Sequence, residues 1–287
     1  EMQVLAAPGL EIFGDVTLRP LATYIPEDDL GVIPPNLDVL GVSPRQTLAE
    51  IEKNLLDERG WKIASSYAAS GSGSNAGVLG RVYVRDDQTV ARYEPPLPVD
   101  FIVIGYEAVS DLANAEAPDV RAVLIKRRTS YFDAGQQVAV ATMSDAIIAK
   151  YGPRSDGDQD ASGQRNYNPD GSVVADQRTP FAPCILRRTG ILEPRGDRVQ
   201  FRWVYEPPGG GRNLEIWGQS YPGCGAHADV RLRPEKDTGA VSELETFLSD
   251  RELVLNTEWT FIEAKLEGKM RTAAELATNG GDDVPEL

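Results

Sequence analysis

Apolar and polar positions along the chain follow two periods, and together they predict mostly strands with few helices. The clearest stretch is 78–106. Two short β-prone runs flank Asp86-Asp87-Gln88, whose polar residues suit a tight reversal, and Phe101 to Ile104 is an unbroken apolar run. Pro98 before that run, Gly105 after it and the β-branched residues inside it favour strand over helix, so the stretch predicts a meander leading into a buried strand. The best helix covers 44–59. Ser43 can cap it, Pro44 suits the first helical position, and Gln46 completes a capping-box pattern. Leu48, Ile51, Leu55 and Leu56 recur at helical spacing, and Gly60 stands where a left-handed cap belongs.

Weaker signals fill in the rest. Residues 120–125 predict a strand ending in Lys126-Arg127-Arg128, 137–143 a strand, and 144–151 a short helix. Further strands are expected over 184–188, 199–206, 213–220 and 229–232. A helical piece is expected from 243 to 248, a strand pair from 253–255 and 259–262, and a last helix over 263–276. Five segments follow: a Pro-rich extended arm (1–42), the first part of a β-rich domain (43–151), a long polar insertion loop (152–183), the second part of the β-rich domain (184–276) and an acidic tail (277–287). The fold class expected is α+β and β-rich: a strongly bent antiparallel sheet or a partly closed, OB-like barrel with one capping helix near 44–59.

Composition narrows the function classes. A chain of 287 residues with 41% hydrophobic content can furnish a core, and a net charge of −15 opposes nonspecific binding to nucleic acid or anionic membrane over the whole surface. No stretch approaches the roughly 20 apolar residues that a membrane helix requires, so no membrane partner is expected. Cys184 and Cys224 are the only cysteines, too few for a disulfide framework, which favours a reducing compartment: the cytoplasm, or the interior of a host cell.

Catalytic chemistry is sparse. His227 is the only histidine, so a nucleophile-histidine site has to use it. It sits in Cys224-Gly225-Ala226-His227, half of a zinc motif, and the pattern favours a Gly-rich turn with a buried thiol and an exposed imidazole. Asp156-Gly157-Asp158-Gln159-Asp160 resembles half of a calcium loop, but position twelve of that loop is Tyr167. Gly71, Gly73 and Gly77 lie in a small polar stretch (65–77) expected to be a flexible loop, with no Gly-Lys-Ser/Thr to make it a phosphate loop. No catalytic residue, metal site or cofactor is assigned, and binding is favoured over catalysis.

Charge distribution points to a partner. Residues 121–233 carry 16 basic and 12 acidic residues, against 13 and 32 in the rest of the chain. In that basic body Phe201, Trp203 and Tyr205 alternate on one strand face with Arg202 on the other. Aromatic platforms beside cations suit stacked bases and a phosphate path, so the expected function is single-stranded nucleic-acid binding. The candidate contacts are Lys126, Arg127, Arg128, Tyr131, Arg187, Arg188, Arg198, Phe201, Arg202, Trp203, Tyr205 and Trp217. The end of the chain adds Asp282-Asp283-Val284-Pro285, which resembles the acidic tip of bacterial and phage single-stranded-DNA-binding proteins, with Glu286-Leu287 where that family has a terminal aromatic residue. The resemblance implies a tail that recruits protein partners and competes with DNA for a basic groove. The alternative is a structural or assembly subunit of a virion or large complex, whose Pro-rich arm and 152–183 loop order against neighbouring subunits. An oligomer is compatible with both.

Overall fold

The structure is a computed structural model that describes residues 25–70, 76–85, 89–90, 97–131, 137–155, 161–174, 193–195, 198–200, 225–236 and 238–279. In chain order the strands are β1 (Lys62–Ser70), β2 (Gly77–Val84), β3 (Thr89–Val90), β4 (Leu97–Pro98), β5 (Asp100–Tyr106), β6 (Ala122–Ser130), β7 (Gly163–Asn166), β8 (Glu193–Arg195), β9 (Arg198–Gln200), β10 (Ala226–Pro234) and β11 (Val241–Asp250). The helices are α1 (Leu48–Glu52), continued by a π-helical turn over Lys53–Glu58, α2 (Val140–Tyr151) and α3 (Arg251–Asn279). Seven strands form one antiparallel sheet in the order β1-β2-β5-β6-β11-β10-β7, while β3–β4 and β8–β9 are separate two-stranded ribbons. The fold is therefore β-rich α+β.

The sheet is open. Its edges β1 and β7 lie at opposite ends of the strand order, so the partly closed barrel expected from the sequence does not form. Helices on the two faces bury the apolar surface that closure otherwise hides. On the first face Leu79, Tyr83, Ile102, Ile104, Ile125 and Leu248 pack under Leu48, Ile51 and Leu55 of the first helix, Ile147 and Tyr151 of α2, and Leu37, Val39 and Val42 of the arm. Each aliphatic side chain buried this completely contributes roughly 1.5–3 kcal/mol. On the second face Leu253 and Val254, in the first turn of α3, cover Val82, Val84, Phe101, Val103 and Leu124.

Capping fixes the first helix four residues later than its sequence pattern suggests. Thr47 and Glu50 form the capping box, so the helix starts at Leu48. Gln46 does reach back to the Ser43 N–H (3.1 Å), but Pro44-Arg45 between them is a turn in which Arg45 takes a left-handed conformation (φ 71°). That turn points Arg45 into Asp250 and Glu252 and lets its Nη1 donate to the Gly31 carbonyl at 2.6 Å. Gly60 (φ 69°) ends the helix as expected, with its N–H bonded to Leu56 O (3.2 Å) and the Trp61 N–H to Leu55 O (2.8 Å).

Other segments depart from their local patterns. Residues 65–70, expected in a loop, extend β1 and pair with β2. Residues 89–90 do not return along β2; they pair with 97–98, and β2 pairs with β5 directly. The basic triplet 126–128 lies inside β6 rather than at its end, because both strand neighbours continue past it. Residues 140–143, expected in a strand, are the first turn of α2. Residues 243–248 are strand, not helix, and 253–262 are helix, not strands. The insertion loop contributes the edge strand β7. Residues 156–160, 184–188 and 213–220, and the tail beyond 279, lie outside the described residues. No helix among the described residues is long and apolar enough to cross a membrane.

The core holds tyrosines in their neutral form. Tyr83 and Tyr106 are fully buried with their hydroxyls 3.1 Å apart. Burial pushes the Tyr83 and Tyr167 phenols up to about 12 and that of Tyr106 well above 10. Because the folded state raises these values, their contribution to stability is complete below pH 10 and is lost as the pH climbs through 10 to 12. We expect the phenolate absorbance at 295 nm of Tyr83, Tyr106 and Tyr167 to rise only together with cooperative alkaline unfolding followed by circular dichroism. A single smooth titration with the fold intact at pH 12 contradicts this burial.

Candidate anion-binding face

Period-two alternation carries one set of side chains from β6 to β7 across the second face of the sheet. Register places Lys126 opposite Phe247, Arg128 opposite Glu245 and Ser130 opposite Glu243. It continues with Asp229 opposite Phe247, Arg231 opposite Glu245 and Arg233 opposite Glu243, then His227 opposite Ser249. Asn166 and Gln164 of β7 lie opposite His227 and Asp229. The second face thus has an apolar half over β2 and β5, roofed by Leu253 and Val254, and a polar half running from β6 to β7.

Diagonal ion pairs organise the polar half. Lys126 Nζ lies 3.1 Å from Glu245, and Arg128 Nη2 lies 2.7 Å from Glu243, in both cases two residues along the neighbouring strand from the directly opposed residue. Glu243 also receives Arg233 Nε at 3.2 Å, and Arg231 lies 3.5 Å from Asp229. Lys126, Arg128, Glu243 and Asp229 are buried, whereas the Arg231 and Arg233 side chains are 54% and 63% exposed.

Arg251 completes this half from above. As the first residue of α3 it is buried, and its Nη2 donates to His227 Nδ1 at 3.0 Å and to Asn166 Oδ1. His227 Nδ1 is 2.9 Å from the same Asn166 oxygen, so three side chains from β7, β10 and α3 meet at one point. His227 is completely buried, which corrects the expected exposed imidazole: it lies in β10 instead of a turn. Gly225 permits this placement, since a Cβ there would stand 2.5 Å from the Asn168 carbonyl oxygen.

The surroundings of Arg251 differ from those of Arg165, another buried arginine. Arg165 donates Nε, Nη1 and Nη2 to the carbonyls of Gly152, Gly163 and Ala161 at 2.7–3.0 Å, so each of its three nitrogens has an acceptor. Arg251 Nε and Nη1 have no acceptor among the described residues. Burial alone draws the Arg251 guanidinium down to about 9. The nearby Asp250 is engaged elsewhere: it accepts the N–H groups of Glu252 (2.9 Å) and Leu253 (3.1 Å) as a helix cap and pairs with Arg45.

The residues expected to contact nucleic acid fall into three groups. Lys126 and Arg128 lie on the polar half in the ion pairs above. Arg127 points to the opposite face, where Asp100 accepts from its Nε (3.0 Å) and Nη2 (2.8 Å) and the Trp61 ring lies 6.0 Å away. Tyr131, half-buried just beyond β6, donates its backbone N–H to the Ser242 carbonyl, and burial raises its phenol. Arg198 opens β9 opposite Arg195. Arg187, Arg188, Phe201, Arg202, Trp203, Tyr205 and Trp217 lie outside the described residues. Sequence reasoning missed Arg231, Arg233, Arg251 and Asn166. The first two were legible, because Val230-Arg231-Leu232-Arg233 alternates; Arg251 and Asn166 have no local signal, since only the sheet topology brings them together.

Among the described residues no cluster of His, Cys, Asp and Glu could hold a metal ion. Compared with known proteins, the chain matches no family model, no curated protein and no solved structure.

The ion pairs generate a stability test. Replacing Glu243 by Gln removes the charge that both Arg128 and Arg233 face, and we expect a loss of about 3 kcal/mol in urea unfolding. Adding Arg128→Met should recover a large part of that loss, because the desolvated cation goes with it. A double variant no more stable than the single one contradicts the pairing.

Proposed function

We propose that the protein binds single-stranded nucleic acid, with the polar half of the second sheet face directed at the phosphate chain. The observation that carries this is a charge imbalance in the described residues. Among those residues Lys126, Arg128, Arg231, Arg233 and Arg251 share that half of the sheet with only Asp229, Glu243 and Glu245, with Arg231 and Arg233 exposed at its edge and the other three cations buried behind them, in a chain whose net charge is −15. Concentrating cations on one side of an acidic protein focuses anionic ligands there and repels them elsewhere. The exposed Arg231 and Arg233 are the first groups a phosphate meets. Phe247, whose ring packs edge-on against His227 with centroids 6.1 Å apart, supplies an aromatic surface on the same face. The surface serves as strand platforms do in oligonucleotide-binding barrels, where backbone cations and aromatic rings lie on one sheet. The aromatic and basic strand at Phe201, Arg202, Trp203 and Tyr205 is the second part of this proposal, and the acidic end at Asp282-Asp283 is its competitor for the cations.

Titration of a labelled oligonucleotide of about 30 residues, followed by fluorescence anisotropy at several salt concentrations, tests the proposal. Binding should weaken with salt. Replacing both Arg231 and Arg233 by Glu should flatten the log–log salt slope by roughly 1.4, about 0.7 for each phosphate of a single strand that is no longer neutralised. Trp203→Ala should reduce affinity with the salt slope unchanged, because stacking releases no counterions. Absence of binding at low salt refutes the proposal.

A further inference from the structure

The 29-residue helix α3 is buried against the body at its first turns. Arg251 to Val254, Asn256 and Thr257 are buried, whereas none of the described side chains beyond Thr257 is, and Glu263, Glu267, Met270, Arg271 and Thr272 are exposed. Residues 258–279 extend the helix by about 33 Å at 1.5 Å per residue. Along it Leu255, Trp259, Ile262, Leu266, Ala273 and Leu276 recur at steps of three, four and seven, which places them on one apolar stripe. A lone helix of this length is marginal in water, so the stripe calls for a cover. We propose that residues 1–24 of the same chain dock along this stripe, running antiparallel to α3.

The direction follows from the part of the arm that the structure describes. Gly31 donates its N–H to Glu252 Oε2 at 2.7 Å, and Leu30 packs on the cluster that holds Leu253 and Val254. One turn further along α3, the Asn256 side chain holds Ile25 by both backbone groups. Its Oδ1 accepts the Ile25 N–H at 2.8 Å, and its Nδ2 donates to the Ile25 carbonyl at 2.9 Å. From residue 31 back to residue 25 the arm therefore moves from Glu252 to Asn256, toward the C-terminal end of the helix. Tyr24 is delivered where the buried part of α3 ends, with the stripe ahead of it.

Length and chemistry fit the same path. About ten residues of extended chain, at roughly 3.3 Å each, span 33 Å, so residues 1–24 are long enough to line the rest of the helix. Leu10, Ile12, Phe13, Val16, Leu18 and Leu21 lie in the half nearest Ile25. Pro20 opposes a helix there, and in an extended chain Val16 and Leu18 share one side. A second copy of the chain is the rival occupant. The own arm has the advantage, because its tether at Asn256 holds it beside the stripe at an effective concentration on the order of millimolar. This docking is independent of nucleic-acid binding.

The test uses the full chain and reads each partner after changing the other. Val16→Asp with Leu18→Asp should speed amide hydrogen exchange in 258–279 about tenfold, the loss expected from exposing one or two aliphatic contacts, with β5 and β6 unchanged. Leu266→Asp should in turn speed chymotryptic cleavage after Phe13 about tenfold. These substitutions lie outside the sheet core, and Asn256→Ala, which releases the tether, should loosen both segments if either variant fails to fold. Wild-type exchange in 258–279 should be the same over a roughly hundredfold dilution. Unchanged exchange in the helix after the arm substitutions, or unchanged cleavage after Leu266→Asp, overturns the docking. Loss of helix protection on dilution assigns the stripe to a second copy and also overturns it.

Discussion

Everything in this fold depends on the pairing of β6 with β11. One antiparallel set, β1-β2-β5-β6, comes from residues 62–130, and the other, β11-β10-β7, from residues 163–250; only this pairing makes them one sheet. The contact is remote, with Arg128 and Glu243 separated by 115 positions, so it must repay a large loop-closure cost. Ile125 against Leu248 supplies apolar contact on the first face, and the diagonal pairs Lys126–Glu245 and Arg128–Glu243 supply charge complementarity on the second. A one-residue slip would turn these charges into the apolar first face, so the pairs specify register at least as much as they stabilise. α3 follows β11 directly, and its opening residues place the roof of the apolar half and Arg251 together.

The same residues explain which parts of the architecture could be read from the sequence. Phe101 to Ile104 reads as a buried strand because both faces of β5 are covered, which makes its apolar run continuous. The first helix was legible from its apolar spacing and from the stop at Gly60, which is local chemistry, whereas its cap is Thr47 with Glu50 and not Ser43 with Gln46. Glu243 to Leu248 misled, since acidic residues spaced through leucines look like a solvated helix face. In the fold Glu243 is buried and Glu245 largely so, against cations that lie far away in sequence, and no local pattern reveals such partners. Lys126-Arg127-Arg128 gave a true signal of charge, but strand alternation sends Arg127 to Asp100 on the other face and leaves Lys126 and Arg128 on the polar half. Residues 253–255 and 259–262 looked like a strand pair, and tertiary context made them helix.

Burying so many charges on one half of a sheet has a physical consequence. Ion pairs in a dry interior rarely gain over apolar packing, so a face built from them stabilises poorly unless it also receives something. Among the described residues the balance on that face is positive, the exposed edge ends in two arginines, and Arg251 Nε and Nη1 lack acceptors. These three features have a common explanation if the face meets an anionic chain. On the first face Tyr83 and Tyr106 pair their hydroxyls within the core.

The most direct measurement of that claim is amide hydrogen exchange of the full chain with and without a single-stranded oligonucleotide. Slowed exchange is predicted in β10 and β7, around His227 to Arg233 and Gly163 to Asn166, and at the start of α3, with β1 unchanged. Protection confined to β1 and β2, or none at an oligonucleotide concentration that saturates binding, would contradict it.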